Sequence, residues 1–219
     1  MADIQGVVSQ VEGACGNYKT TQSEMQQLET NIQMLSDESE HIARELSSIE
    51  DQVIALQAQA NAVMSNIDSN SGNEDYDSGS DLATLNRIRA QLQGLQSESA
   101  LLEQQRMQTI QQLNAARSIY IQKKEYLDTL RNYLEAVRTQ MTNAADTLQN
   151  KILQLENAIS VFNGASGNMF GGSALQQAGN LSGSKNEYQA NLTIAQNVLE
   201  MIRTTLDNQG SSNVKVLRR

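Results

Sequence analysis

MQQLETNIQMLSDESEHIARELSSIEDQVIALQAQANAVMSNI, residues 25–67, decides the fold. Apolar residues recur at Met25, Leu28, Ile32, Leu35, Ile42, Leu46, Ile49, Val53, Leu56, Ala60, Val63 and Ile67, in steps that alternate between three and four, and Ser39 fills one a position between them. Followed back through Thr21, Tyr18, Ala14, Val11, Val7 and Ile4, the series has 19 a and d positions, of which 17 are apolar and none is charged. A random chain of the same apolar content would place about 7 there. An apolar stripe with this spacing must face another helix, as in a coiled coil. Gly6, Gly13 and Gly16 lie outside the stripe but weaken the first turns. Helix 1 is expected over about 4–67, most firmly from residue 18.

Residues 68–81, DSNSGNEDYDSGSD, interrupt the pattern with glycine, serine and acids and read as a loop, with Asp81 placed to cap the next helix. A second stripe then runs from Leu85 through Ile88, Leu92, Leu95, Leu102, Leu113, Leu127, Leu134 and Val137 to Met141, with Ser99, Arg106, Thr109 and Lys123 as its polar members. Around Met141, Ala145 and Leu148 the alternation slips, a stutter that locally unwinds a supercoil and marks a change of partner. Helix 2 is expected over about 82–162, some 120 Å at 1.5 Å per residue. NGASGNMFGGS, residues 163–173, is a glycine-rich loop, and Gly179 and Gly183 delay the third helix to about 186–208. GSSNVKVLRR, residues 210–219, is expected to be a flexible tail.

Folding helix 2 back on helix 1 about the acidic loop sets residue i opposite about 149 − i. The charges within the second stripe then meet acids: Arg106 falls between Glu40 and Glu45, and Lys123 with Lys124 between Glu24 and Glu29. The same construction about residue 168 sets Tyr188 opposite Leu148 and Leu206 opposite Leu130. The expected fold is therefore all-α: an elongated antiparallel coiled-coil hairpin of two long helices, with a third, shorter helix packing at its base as a three-helix bundle end. The chain reads as a single elongated helical domain over 1–219. A straight parallel dimer of the long helices satisfies the same periodicity and is the competing arrangement.

Composition narrows the function. The 219 residues include no proline, no tryptophan, one histidine and one cysteine, while Gln, Asn and Ser together supply 67, so polar-faced helices are favoured over a compact enzyme core. The lone Cys15 excludes an intrachain disulfide and fits a small apolar filler beside the stripe. No apolar run reaches the roughly 20 residues of a membrane span, and the N-terminal residues do not read as a signal peptide. The acids concentrate early: residues 1–68 hold 11 acids and 2 bases, whereas 82–162 hold 7 acids and 9 bases. An acidic chain without clustered bases is not expected to bind nucleic acid, and the scattered bases of helix 2 form no polybasic face for direct membrane binding.

No catalytic constellation emerges. His41 stands alone, and the sequence holds no phosphate-binding glycine loop, no HExxH, no CxxC and no GxSxG. Neither an enzyme nor a cofactor is expected. Asp68, Asn70, Glu74, Asp75, Asp77 and Asp81 offer oxygen ligands, but their spacing does not fit the twelve-residue calcium loop, and a solvated polar tip is the favoured reading. Candidate partner contacts are Met169 and Phe170, an apolar pair between glycines, and Val214, Val216, Leu217, Arg218 and Arg219, alternating apolar residues ending in two bases.

The amide- and serine-rich, proline-free composition is similar to that of bacterial export-apparatus filament, tip and secreted rod proteins. It lacks the Trp-x-Gly turn and the Tyr-x-x-x-Asp/Glu tail of small type VII secretion substrates. What the likeness implies is a non-enzymatic structural or interaction protein, a self-assembling or secreted component of an export or surface apparatus, placed outside the cell without a cleaved signal. The alternative is an intracellular coiled-coil adaptor or chaperone-like protein with a fixed partner. Protein partners or further copies of the chain would engage its helix stripes, its glycine-rich loop or its tail.

Overall fold

The computed structural model describes residues 4–71, 73, 77–165 and 171–207. They form three helices: α1 over Ile4–Asn70, α2 over Gly79–Ala165 and α3 over Gly171–Asp207. The chain is an all-α, three-helix bundle. Every described a and d position of α1 is buried or half-buried, and along α2 from Leu85 to Met141 only Arg106 is exposed. The heptad reading therefore names the packed face of both long helices.

The helix ends differ from the sequence reading, and local chemistry explains two of the differences. α2 starts at Gly79, with the Asp77 carboxylate accepting the Gly79 backbone N–H at 2.9 Å and Leu82 donating to the Ser78 carbonyl at 3.0 Å. The end of the helix is thus organised by Asp77 and Ser78, and Asp81, expected as the cap, instead lies in the first turn. α3 starts at Gly171 rather than near 186, so Gly179 and Gly183 lie inside it. A side-chain carbon at either glycine would meet nothing within 4 Å, so both look outward, while Ala178, just before Gly179, is buried. Packing of that face outweighs the roughly 1 kcal/mol that each glycine costs a helix.

The contacts group the chain into two compact units, Met1–Gln27 with Ile121–Arg219, and Leu28–Tyr120. The first is a three-helix unit. Its core joins Val11, Ala14, Cys15 and Tyr18 of α1 to Leu134 and Val137 of α2 and to Val198 and Ile202 of α3, with Val7, Val8, Leu127, Leu130, Met141, Met201 and Leu206 packed around them. Leu134 and Ile202 are 0% exposed. Cys15 is a buried free thiol in this core, as an apolar filler would be. The stutter has a visible cause: Val7 and Val8, near the start of α1, pack in the cluster that contains Met141, and beyond it α2 pairs with α3. Lys185 meets Glu156 at 2.7 Å, and the Lys151 ammonium stands 5.5 Å from the Tyr188 ring centroid.

The second unit contains only α1 and α2. Tyr120 donates to Glu29 at 2.8 Å, and Asn66 donates to Asp81 at 3.0 Å. Apart from Ile88, its buried residues, Ile32, Leu35, Ile42, Ile49, Thr109, Leu113, Ala116 and Tyr120, lie in its Leu28–Ile49 and Thr109–Tyr120 segments. Past Ile49 the described stripe positions of α1 are all half-buried, and on α2 between Leu85 and Leu102 only Ile88 is buried.

Candidate functional site

Two helices can cover only one side of each other's apolar stripe, so the flanks of that stripe stay open to solvent where no third helix arrives. In the two-helix unit this leaves a groove along each flank. One is lined by Gln52, Ala55, Leu56 and Gln59 of α1 and by Gln91, Gly94, Leu95 and Glu98 of α2, a surface dominated by amides. The other is lined by Ala43, Leu46, Ser47, Ile49, Glu50 and Val53 of α1 and by Leu95, Gln96, Ser99, Ala100, Glu103 and Arg106 of α2, with an aliphatic floor.

The second groove lies on the e and b side of the heptads. Ile54, Met64, Leu82, Met107 and Ile110 occupy e and b positions of the same unit and are exposed, Ile54 at 58% and Met107 at 62%. Ile54 and Met107 directly follow the lining residues Val53 and Arg106 and extend the apolar surface of this groove, whereas the others stand singly and need no explanation. The equivalent side of α1 in the three-helix unit meets α3. There Cys15 is buried in a core with Val198 and Ile202, while Val8 and Glu12 line an open groove with Ile194, Val198 and Met201. α3 therefore occupies in one unit the flank that has no third helix in the other.

Electrostatics separates the units as sharply as packing does. Residues 28–120 hold 14 acids and 5 bases, whereas the rest of the chain holds 11 of each, so the whole net charge of −9 belongs to the two-helix unit. Within it, Tyr120 is pushed up to about 12, first by burial and then by its hydrogen bond to Glu29, whose negative charge adds to the effect. That phenol stays neutral and holds the Glu29 carboxylate against α2. His41 is exposed and approaches Glu45 at 3.5 Å on the same helix.

The charges within the second stripe have different fates. Lys123 reaches Glu24 at 2.7 Å in the three-helix unit, in agreement with the expected pairing. Arg106, expected between Glu40 and Glu45, lines the groove with Ala43 and Leu46. The named partner contacts Met169, Phe170, Val214, Val216, Leu217, Arg218 and Arg219 all lie outside the described residues, as do Glu74 and Asp75 of the acidic loop. The groove residues were not singled out in the sequence. The signal that points to them is the run of small or apolar residues at e and b positions, Ala43, Ile54, Ala100, Met107 and Ile110, in a unit with too few helices to cover them.

Among the described residues no group of three or more His, Cys, Asp or Glu side chains is arranged to hold a metal ion, and no helix is long and apolar enough to cross a membrane. Comparison with protein-family models, curated proteins and solved structures returns no match.

Proposed function

We propose that the chain is a non-enzymatic coiled-coil interaction protein in which α1 and α2 form an antiparallel hairpin, α3 completes the bundle at one unit, and the two-helix unit is the part that engages other proteins. The observation that carries this reading is the open aliphatic groove with its exposed flank, an arrangement that makes a surface for a further helix. The composition supports placing the protein among self-assembling or secreted components of a bacterial export or surface apparatus. The intracellular adaptor remains the second reading, favoured by the confinement of the net charge to one unit, which suits a fixed partner better than packing of identical copies.

Mass and shape in solution test the proposal, by light scattering and small-angle scattering over a concentration series of the full chain. A self-assembling component grows with concentration, and an adaptor keeps one mass at all concentrations. The hairpin is tested separately by Asn66→Cys with Asp81→Cys in a Cys15→Ala background. These two side chains meet at 3.0 Å, which holds the two backbones close enough for a short bis-maleimide to bridge the thiols within one chain, visible as a mobility shift at monomer mass. Cross-linked product found only at dimer mass would reject the hairpin in favour of paired chains.

A further inference from the structure

The open groove has a shape that α3 already illustrates and a charge that α3 does not match. In the three-helix unit, α3 meets the side of α1 that holds Val8 and Cys15, both at e positions, and the corresponding e positions of the two-helix unit include Ala43 and Glu50, which line the groove. The segment from Ala43 to Val53 spans about 16 Å at 1.5 Å per residue, room for three turns of a helix.

We propose that this groove seats a cationic amphipathic helix from a partner protein, lying where a third helix would complete the bundle. The proposal rests on the interaction reading above and names the chemistry of its partner. Small and aliphatic residues at the floor, Ala43, Leu46, Ile49 and Ala100, take the apolar stripe of the incoming helix, and Glu50 and Glu103 at the walls face its bases. Arg106 is the one base among the lining residues, against two acids.

Charge selects this occupant over a second copy. The segments that line the groove, 43–53 and 95–106, hold Glu45, Glu50, Asp51, Glu98 and Glu103 against Arg44 and Arg106, so two copies joined there would set like net charges at the 8–10 Å spacing of packed helices, about one Debye length at physiological salt, and the repulsion is only partly screened. A helix carrying bases outside its apolar stripe meets the same field as attraction, which also speeds its encounter.

The test uses the full chain and a fluorescent 21-residue Leu/Ala heptad peptide with Lys at its outer positions, read by anisotropy, beside the same peptide with Glu in place of Lys. Saturable binding of the Lys peptide is expected. Ala100→Glu adds negative charge but fills the groove, and it should weaken that binding at least tenfold. Ser47→Glu, on the opposite wall, should do the same, which guards against a folding defect in either variant. Gln105→Glu, with the same charge gain at a g position, should not weaken it.

Unchanged or tighter binding by both groove variants would reduce the effect to charge attraction and overturn the proposal. So would equal binding of the Glu peptide. If neither peptide binds and the chain instead doubles its mass in a way that Ala100→Glu reverses, the cationic occupant is overturned while the interaction reading stands. A monomer that binds neither peptide overturns the cationic occupant and removes the groove from the interaction reading.

Discussion

The two units are built from the same two helices and the same heptad pattern, yet they bury it to different depths. In the three-helix unit Val11, Leu134 and Ile202 are fully enclosed, because α3 closes the flank that two helices leave open. In the two-helix unit Leu46, Val53, Leu56, Leu92, Leu95 and Leu102 stay half-buried although they occupy equally regular positions. The a and d pattern specifies which side of a helix is apolar, and the number of neighbouring helices decides how much of that side leaves water.

Truncation of matched leucines is the strongest way to break this contrast. Leu134→Ala removes a fully enclosed side chain at the junction of three helices and should cost about 3–4 kcal/mol, by lost transfer energy and by the cavity left behind. Leu56→Ala or Leu95→Ala, at the grooves of the other unit, should cost about 1 kcal/mol, because part of each side chain is already wet and water can enter the space. Urea titrations of the three variants, followed by helical circular dichroism, measure the difference. Equal losses would mean that the two units are packed alike.

Tyr120 sharpens the comparison within the two-helix unit, since its hydroxyl bonds Glu29 across the helix pair. Tyr120→Phe keeps the ring and removes one hydrogen bond to a charged acceptor, an expected loss of about 1–2 kcal/mol. Its pH dependence gives a second readout. The folded state holds the phenolic proton more tightly than an unfolded chain, whose tyrosine titrates near 10, because burial and then Glu29 push the group up to about 12. This contribution is complete below pH 10 and is lost as pH rises through 12. Between those limits the wild-type chain should lose stability faster than the Phe variant. Parallel curves would show that the hydrogen bond contributes nothing.

Much of the helical pattern is legible in the sequence because it depends on short-range periodicity. The stripe, the loop that interrupts it and the Lys123–Glu24 contact follow from spacing and charge alone. The early start of α3 does not, since Gly179 and Gly183 argue against a helix locally, and the packing that overrules them involves Ala178 and residues far away in the chain. The division into two units is hidden for the same reason: nothing in the repeat of α1 near Leu28 records where its third neighbour ends. The groove was missed because sequence reasoning looked for anchors in loops and tails, whereas its floor is made of ordinary stripe residues that lack a cover.

Arg117 offers the smallest and most local test of incomplete cover. It sits at an e position of the two-helix unit, half-buried, and its Nε is shielded from solvent without a hydrogen-bond partner among the described residues. A buried donor left unpaired costs about 1–3 kcal/mol relative to water, while the aliphatic stem beside it contributes useful packing. Arg117→Met keeps a comparable stem and removes the orphan donor, so stability should stay level or rise by up to about 1 kcal/mol. Arg117→Ala removes both and should be less stable than the Met variant. Destabilisation by Met as large as that by Ala would assign the guanidinium itself a stabilising role, and the flank near Arg117 would then be closed by charge rather than by apolar packing.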